Sequence, residues 1–298
     1  AYFYFLAIKI YISKFYKKIY FTTNYYNNSL KSKIPSQFYF FPNAFLLSSF
    51  VHYKNFSFKI SEINPDQFWL KNTSIKEKKN LHNFFWLNLI DRKNDASIIR
   101  KIINVWINKN NKYKTIIWES SVISKRIISW ILNANIILTG PSITFKNEFL
   151  SSIIIQTNHL KKNFKYEKNH SKKIETLTAI LLTGLVFKEY LENFEFAKKE
   201  LKKLIEEFFD KDGFSANRNP NDVLKFLKYF ILIKQCTKDA HKYELDFLEE
   251  IIKKNLSCLK KITTPDNKIP LFNGGTEIDL NYFYEYLKNL NFKIKIIK

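Results

Sequence analysis

The chain has 298 residues, of which 46% are hydrophobic and 26% are charged. This balance supports a packed core and excludes an intrinsically disordered chain. The formal net charge of +22 indicates an anionic partner: nucleic acid, anionic lipid or acidic polysaccharide. Lysine is spread along the chain together with Ile, Asn, Phe and Tyr, all residues of A/T-rich codons, and much of the charge reflects this bias. Nucleic acid is not the expected partner, because bidentate phosphate recognition favours arginine and lysine is far more frequent here.

The sequence offers little for metal or redox chemistry. Cys236 and Cys258 lie on separate predicted helices without metal-ligand spacing, so we expect buried free thiols, no metal site and no cofactor. No P-loop, dinucleotide fingerprint or serine nucleophile motif occurs. Lysines interrupt the aromatic and apolar residues 1–21, and no small-residue cleavage site follows them, so we expect neither a transmembrane span nor a signal peptide. Because the chain begins at Ala1 and contains no methionine, we expect it to be part of a longer protein.

Residues 1–78 form the first part of the predicted organisation. They mix Tyr- and Phe-rich runs with prolines, which indicates an irregular, partly extended segment that packs on a helical body. Within it, residues 38–41 and 56–60 are predicted either as short strands or as extended segments on that body.

Residues 79–298 form the second part, a helical domain. Apolar residues recur there at the i, i+3, i+4 spacing of one helix face. The predicted helices cover residues 81–89, 98–106, 120–138, 149–160, 174–186, 201–208, 223–233 and 247–259, with a last helix from about residue 280. Residues 223–233 are apolar nearly all round, as in a helix of an inner layer. Helices of similar length joined by short loops form a solenoid or a closed ring of hairpins. No strict sequence period is visible, so we predict a mainly α fold, an incomplete (α/α) toroid of helical hairpins.

The loop between two of these helices, residues 210–220, is the densest non-helical signal. Asp212-Gly213 is a turn pair, and Asn219 is placed to cap the next helix with Pro220 at its first position. Arg218 stands just outside that helix start, where the helix dipole disfavours a cation. Arg218 is therefore expected to face a carboxylate, which belongs either to the protein or to a ligand.

Four segments together resemble the heparinase II/III-like family, in the same order and from about residue 30 to the end. The segments are Leu81-His82-Asn83-Phe84-Phe85-Trp86-Leu87, Trp118 with Lys125-Arg126-Ile127-Ile128-Ser129-Trp130, Asp212-Gly213 through Arg218-Asn219-Pro220, and Leu271-Phe272-Asn273-Gly274-Gly275. The resemblance implies an N-terminal α/α toroid without the family's C-terminal β-sandwich, which would be its partner within a longer chain. It also implies lyase activity on uronic-acid polysaccharides, an acidic polysaccharide as ligand and, on this ground alone, the periplasm.

The resemblance also implies roles for particular residues. β-Elimination removes the weakly acidic C5 proton of a uronate and expels the C4 oxygen, so the neighbouring carboxylate must be neutralised and a base supplied. Asn169, His170 and Arg218 are the expected catalytic residues, although Asn169 reads equally as a helix N-cap. The expected substrate-binding residues are His82, Trp86, Arg126, Asn217 and Asn219. An alternative interpretation is that His82 packs against Trp86 at the start of a helix.

One departure from the family pattern opens two further interpretations. In the family's lyases the Asp-Gly loop continues into a Glu and then into a Tyr that acts as acid and base. Here Asn217 stands in place of the Glu, and Asn221-Asp222 stands in place of the Tyr. A non-catalytic glycan-binding or assembly module is therefore the first alternative. A helical-repeat scaffold that binds an anionic partner is the second.

Overall fold

The computed structural model describes residues 2–51, 64–69, 74–90, 96–240 and 245–292. Within these ranges the protein is mainly helical, which confirms the predicted fold class. The α-helices are α1 (Tyr2–Thr22), α2 (Asn24–Ser29), α3 (Pro65–Phe68), α4 (Ile75–His82), α5 (Ala96–Asn110), α6 (Ser120–Leu132), α7 (Ala134–Ile137), α8 (Ile143–Asn163), α9 (His170–Val186), α10 (Leu191–Phe208), α11 (Pro220–Asp239), α12 (Asp246–Ile262) and α13 (Asn281–Asn289). Short 3-10 helices cover Ala44–Phe50, Phe85–Leu89, Phe164–Tyr166 and Lys188–Tyr190.

The helices form two layers that differ in burial. In α9, 13 of 17 residues are buried, whereas in the following α10 only 6 of 18 are buried. The helices α6 and α11 are buried nearly all round like α9, and α12 is amphipathic like α10. A helix with apolar residues on every side lies inside, and an amphipathic helix covers it. The chain thus alternates inner and outer helices, as a toroid of hairpins requires.

The inner helices follow one another at a constant interval. They begin at Ser120, His170 and Pro220, so successive starts are 50 residues apart. Residues near these three starts contact one another, as the next subsection describes, and the three N-termini therefore lie at the same end of the ring. This spacing of elements exists without a repeated sequence motif, which is why no period was visible in the sequence.

The hairpin of α9 and α10 depends on one glycine. A Cβ atom built on Gly184 would lie 2.2 Å from the backbone nitrogen of Phe194. Only glycine lets the two backbones come this close, so Gly184 sets the distance between an inner helix and its outer partner.

The N-terminal part departs from the predicted irregular segment. Residues 2–22 form the regular helix α1, and the predicted boundary after residue 78 falls inside α4. Residues 38–41 form no strand; they pack on the helical body, with the amide of Tyr39 donating to the carbonyl of Val186 at 2.8 Å and the ring of Phe38 packing on Phe187. The second predicted strand, residues 56–60, lies outside the described residues.

The predicted helix over residues 81–89 is interrupted at Phe84. This residue has a left-handed backbone with a φ of 60°, so α4 ends before it and a 3-10 helix starts after it. Its fully buried ring lies among the rings of Trp86, Trp106 and Trp130. These contacts hold a conformation that is rare for a bulky residue.

The remaining parts of the chain are small. The strands β1 (Lys268–Ile269) and β2 (Ile278–Asp279) pair antiparallel and enclose the segment 270–277.

Both cysteines are buried free thiols, as predicted. Among the described helices, none is long and apolar enough to cross a membrane.

Candidate functional site

The N-terminal ends of α6, α9 and α11 meet at one end of the ring and form its mouth. A helix N-terminus carries unpaired backbone N–H groups and about half a positive charge, so it favours anions. Three such ends side by side make the mouth an electropositive surface before any side chain is counted.

Hydrogen bonds between side chains tie the three helix starts together. The hydroxyl of Ser120 donates to Oε2 of Glu167 at 2.9 Å, and Oε1 of Glu167 accepts from the backbone amide of Asn169 at 3.0 Å. The hydroxyl of Ser171 donates to Oδ1 of Asp222 at 3.1 Å. These bonds link α6 to α9 and α9 to α11.

A buried ion cluster lies one turn below the mouth. The carboxylate of Glu175 on α9 is 1% exposed, and its Oε1 lies 2.7 Å from Nζ of Lys225 on α11 and 3.4 Å from Nζ of Lys125 on α6. The buried hydroxyl of Tyr229 contacts the same carboxylate, and its pKa is raised by burial and by the charge of Glu175. With two ammonium groups around one carboxylate, the cluster carries a net positive charge and joins all three inner helices.

A groove of about 520 Å³ opens beside this cluster. Its charged lining consists of four lysines and one glutamate: Lys76, Lys79, Lys125, Lys172 and Glu119. The glutamate is already paired, since Nζ of Lys79 lies 2.8 Å from Oε2 of Glu119. The groove is therefore cationic and suits a ligand that carries several negative charges.

A second groove, of about 630 Å³, shares Glu119 with the first and continues from it. Aromatic rings from α1 and from the body line it, among them Tyr113 and Trp118. His159 lies at its base, where burial lowers the imidazole pKa to about 3. The hydroxyl of Tyr26 lies 2.7 Å from Nδ1 of His159 and fixes the ring.

Asn169 and His170 lie at the mouth, at the start of α9. The side-chain oxygen of Asn169 accepts from the backbone amide of Lys172 at 3.0 Å, so this residue is the N-cap that the sequence offered as an alternative. His170 is half-buried, and its ring stacks on Phe208 with centroids 4.5 Å apart. The imidazole therefore faces Phe208 of α10, whereas Lys172, two residues further along α9, lines the cationic groove.

Arg218, Asn217 and Asn219 lie on the loop before α11. The Nη1 of Arg218 lies 2.6 Å from Oδ2 of Asp210, so the carboxylate that the sequence predicted is supplied by the protein. The side-chain amide of Asn217 donates to Oδ2 of Asp222 at 2.5 Å, and Asn219 caps α11 by accepting from the amide of Asn221. The three residues order the loop, and the guanidinium of Arg218 remains 54% exposed at its surface.

His82, Trp86 and Arg126, which the resemblance assigns to substrate binding, lie in the core. Each is at most 5% exposed. Nδ1 of His82 accepts from the indole of Trp106 at 2.8 Å, and the indole of Trp86 donates to the carbonyl of Leu81. These bonds stabilise the junction of α4 with its 3-10 helix, and a sugar has no access to them.

The Arg126 guanidinium makes the largest set of buried polar bonds at this junction. It donates to Oε1 of Gln156 at 2.6 Å, to the carbonyl of His82 at 2.8 Å and to the carbonyl of Ile117 at 3.3 Å. It also lies over the ring of Trp106, 4.2 Å from the centroid. Among the described residues no carboxylate pairs with it, and burial lowers its pKa.

Sequence reasoning missed the lysines of the groove and the cluster below it. Lysine is so frequent in this chain that nothing in the sequence distinguished Lys76 and Lys172 from the other lysines. The cluster had one usable signal, since Lys125, Glu175 and Lys225 are 50 residues apart and each is the sixth residue of an inner helix. Across the part of the chain that the structure describes, no group of three His, Cys, Asp or Glu side chains is placed to hold a metal ion.

The two-layered ring with a cationic mouth defines the class of protein: an incomplete α/α toroid. Residues 69–293 match the family described as Heparinase II/III N-terminus, and the chain belongs to this family. A comparison with curated protein sequences finds no match.

Solved structures show the same fold. The heparan sulfate lyase HepC from Pedobacter heparinus superposes with a TM-score of 0.59 at 17% identity, over 80% of this chain and 41% of that one. A heparinase III, the BT4657 gene product with methylated lysines, superposes with a TM-score of 0.55 at 16% identity, over 83% of this chain and 44% of that one. The chain thus spans less than half the length of these proteins.

Proposed function

We propose that the chain is the toroid part of a polysaccharide lyase that cleaves an acidic, uronic-acid polysaccharide by β-elimination. The observation that carries the proposal is the cationic groove at the mouth of the ring, with four lysines around one paired glutamate. A polymer with a carboxylate on alternate sugars matches such a groove in charge. Membership of the family, and a fold shared with a heparan sulfate lyase, support the same substrate class.

The residues at the mouth supply the groups that elimination needs. In this proposal Arg218 neutralises the uronate carboxylate, since its guanidinium is half exposed and has donors beyond the one that faces Asp210. The amide of Asn169, at the positive end of α9, helps to hold the same carboxylate. His170, whose ring is oriented by Phe208, then takes the C5 proton as the C4–O bond breaks and returns that proton to the leaving oxygen.

A specific observation favours a second candidate function, glycan binding without cleavage. Asp222 stands where the family's lyases have their tyrosine, and both of its carboxylate oxygens accept hydrogen bonds within the mouth. An aspartate whose two oxygens both accept hydrogen bonds within the protein has a structural role in the site. Under this second proposal the cationic groove captures the polysaccharide and the chemistry belongs to another protein.

One experiment separates the two functions. The full-length protein is incubated with a panel of uronic-acid polymers, and the ultraviolet absorbance of the unsaturated uronate product is followed while binding is measured in parallel. Cleavage that His170→Ala abolishes, with binding unchanged within about twofold, supports the lyase. Binding of a polymer without any absorbance change supports the second function, and the absence of both contradicts the two proposals together.

A matched pair of variants tests the groove itself. Lys76→Ala with Lys172→Ala removes two charges from the groove and is expected to weaken polysaccharide binding by at least about fivefold at low salt. Lys202→Ala with Lys253→Ala removes the same charge from the outer helices α10 and α12. Equal losses in both pairs would show that net charge, and not the groove, binds the polymer.

A further inference from the structure

Helix α1 presents an exposed apolar surface that the body of the protein does not cover. Its residues 4, 8, 11, 15 and 19 repeat at helical spacing, and residues 5, 12, 16 and 20 flank them on the same side. All nine are large aromatic or aliphatic side chains that are 45% to 80% exposed: Tyr4, Phe5, Ile8, Tyr11, Ile12, Phe15, Tyr16, Ile19 and Tyr20. A contiguous patch of this kind marks an interaction surface.

The C-terminal end of α1 is fixed to the body. The ring of Phe21 packs on Tyr26 at 4.7 Å, on Tyr113 at 5.0 Å and on His159 at 5.3 Å between centroids. Nζ of Lys17 lies 4.1 Å above the ring of Tyr166. These contacts hold the last turns of the helix against the protein, while the nine apolar side chains keep 45% to 80% of their surface exposed.

The charged residues in the sequence of the N-terminal segment have one sign. The sequence of α1 contains four lysines and no acidic residue. The first acidic residue of the chain is Glu62, and the lysines before it are Lys9, Lys14, Lys17, Lys18, Lys31, Lys33, Lys54 and Lys59. Two copies docked helix to helix through α1 would bring the lysines of one helix against those of the other, and α1 contains no carboxylate to pair them, so its charge argues against self-association.

We propose that α1 is a docking helix that lies flat on an anionic lipid surface. A helix of 21 residues is about 30 Å long, and four lysines together with an aromatic and aliphatic face are the features of a helix that rests at the boundary of headgroups and acyl chains. Tyrosine is well suited to this depth, because its ring is apolar and its hydroxyl remains at the level of the headgroups. The nearby lysines add attraction to anionic headgroups. The helix does not cross the membrane in this arrangement.

Vesicle co-sedimentation of the full chain tests the proposal. The protein is expected to bind vesicles of phosphatidylcholine that contain phosphatidylglycerol, and to bind pure phosphatidylcholine at least about tenfold more weakly. Raising the salt concentration is expected to reduce the difference between the two lipids. Lys18→Glu should likewise reduce the preference for the anionic vesicles.

Substitutions on the helix locate the contact. Phe15→Glu with Ile19→Glu is expected to lower vesicle affinity at least about tenfold, and Tyr4→Glu with Ile8→Glu repeats the test at the other end of α1. The matched control is Ile143→Glu, because Ile143 is 79% exposed at the first position of α8 and lies on another helix. Circular dichroism shows whether each variant keeps its helical content.

Three outcomes would overturn the proposal. The first is that the unaltered protein does not sediment with vesicles that contain phosphatidylglycerol. The second is that both helix variants bind them as well as the unaltered protein. The third is a dimer in sedimentation velocity that dissociates in the helix variants, which would assign the apolar face to a second copy.

Discussion

The hydroxyl of Ser171 donates a hydrogen bond of 3.1 Å to Oδ1 of Asp222 and thereby joins the first turn of α9 to the first turn of α11. The other carboxylate oxygen of Asp222 accepts from Asn217 on the preceding loop. One side chain therefore sets the relative position of two inner helices and of the loop that carries Arg218. Asp222 has a structural role at the mouth, where the sequence comparison had looked for an acid or base.

Asp222→Ala is expected to lower the free energy of unfolding by about 1–2 kcal/mol, because two hydrogen bonds and a favourable charge near a helix N-terminus are lost. Urea denaturation measures the change. Asp246→Ala is the matched control, since Asp246 is also an acidic residue in a first helix turn and is exposed. A loss of similar size in both variants would show that the helix dipole accounts for the effect and that the link to Ser171 contributes nothing.

Arg126→Lys is expected to destabilise the protein by about 2–4 kcal/mol, although the charge is kept. An ammonium group cannot reach Gln156, His82 and Ile117 together, so buried carbonyl groups are left without donors, and the stacking on Trp106 is lost. Arg100→Lys provides the comparison, because Arg100 bonds one carbonyl, that of Thr139, near the surface. An Arg126→Lys midpoint equal to that of Arg100→Lys would contradict the buried network.

The stability of the fold is expected to fall between pH 6.5 and pH 5, where carboxylates with lowered or ordinary pKa values remain charged. Burial lowers the pKa of His82 and of His159 to about 3, well below the value of about 6.5 for an unfolded histidine. The unfolded chain therefore binds more protons than the folded one in this window, and the free energy of unfolding decreases as the pH falls. For the two residues together the loss from pH 7 to pH 5 is roughly 3–4 kcal/mol.

Urea titrations at a series of pH values measure this slope. His159→Gln should remove about half of it. A profile that is flat between pH 7 and pH 5 would mean that the two buried imidazoles are not neutral in the folded protein.

Gly213→Ala is expected to cost about 2–4 kcal/mol of stability. The residue has a φ of 82°, and a Cβ atom there would lie 2.6 Å from Cβ of Lys254 on α12. Gly140→Ala isolates the packing contribution, since Gly140 has a φ of 63° and nothing lies within 4 Å of its added Cβ. That variant should cost only about 1 kcal/mol. Thermal or urea unfolding of the two variants side by side gives the difference, and equal costs would show that α12 yields to the added methyl group.

The helical layers could be predicted from the sequence because their signal is local. Apolar spacing alone placed α5, α6 and α8 to α12, and the all-round apolar character of residues 223–233 placed α11 in the inner layer. The caps at Asn169 and Asn219 followed from residue type and position. Each of these features depends on neighbours within a few residues.

The candidate site could be predicted only in part because burial depends on distant residues. Arg126 shares a helix face with Ile123 and Trp130, but a cation on an apolar face reads equally well as a ligand contact. Its structural role depends on hydrogen bonds to the carbonyls of His82 and Ile117. The sequence around Arg126 does not indicate that these carbonyls lie nearby. The left-handed backbone of Phe84 is similar, since aromatic packing holds it against the residue's own preference.

The constant interval of 50 residues between Ser120, His170 and Pro220 has a consequence for how this ring can diversify. The hairpins share the interval between helix starts and the depth of each helix in the ring, and they share no sequence motif. The sixth residues of α6, α9 and α11 therefore contact one another. At that level the charges alternate in sign around the ring through Lys125, Glu175 and Lys225. The layer above, which faces a ligand in the proposed function, can therefore accept new side chains while the layer beneath keeps the hairpins in register. In each inner helix, one level of residues maintains the fold and the level above it is free to change with the ligand.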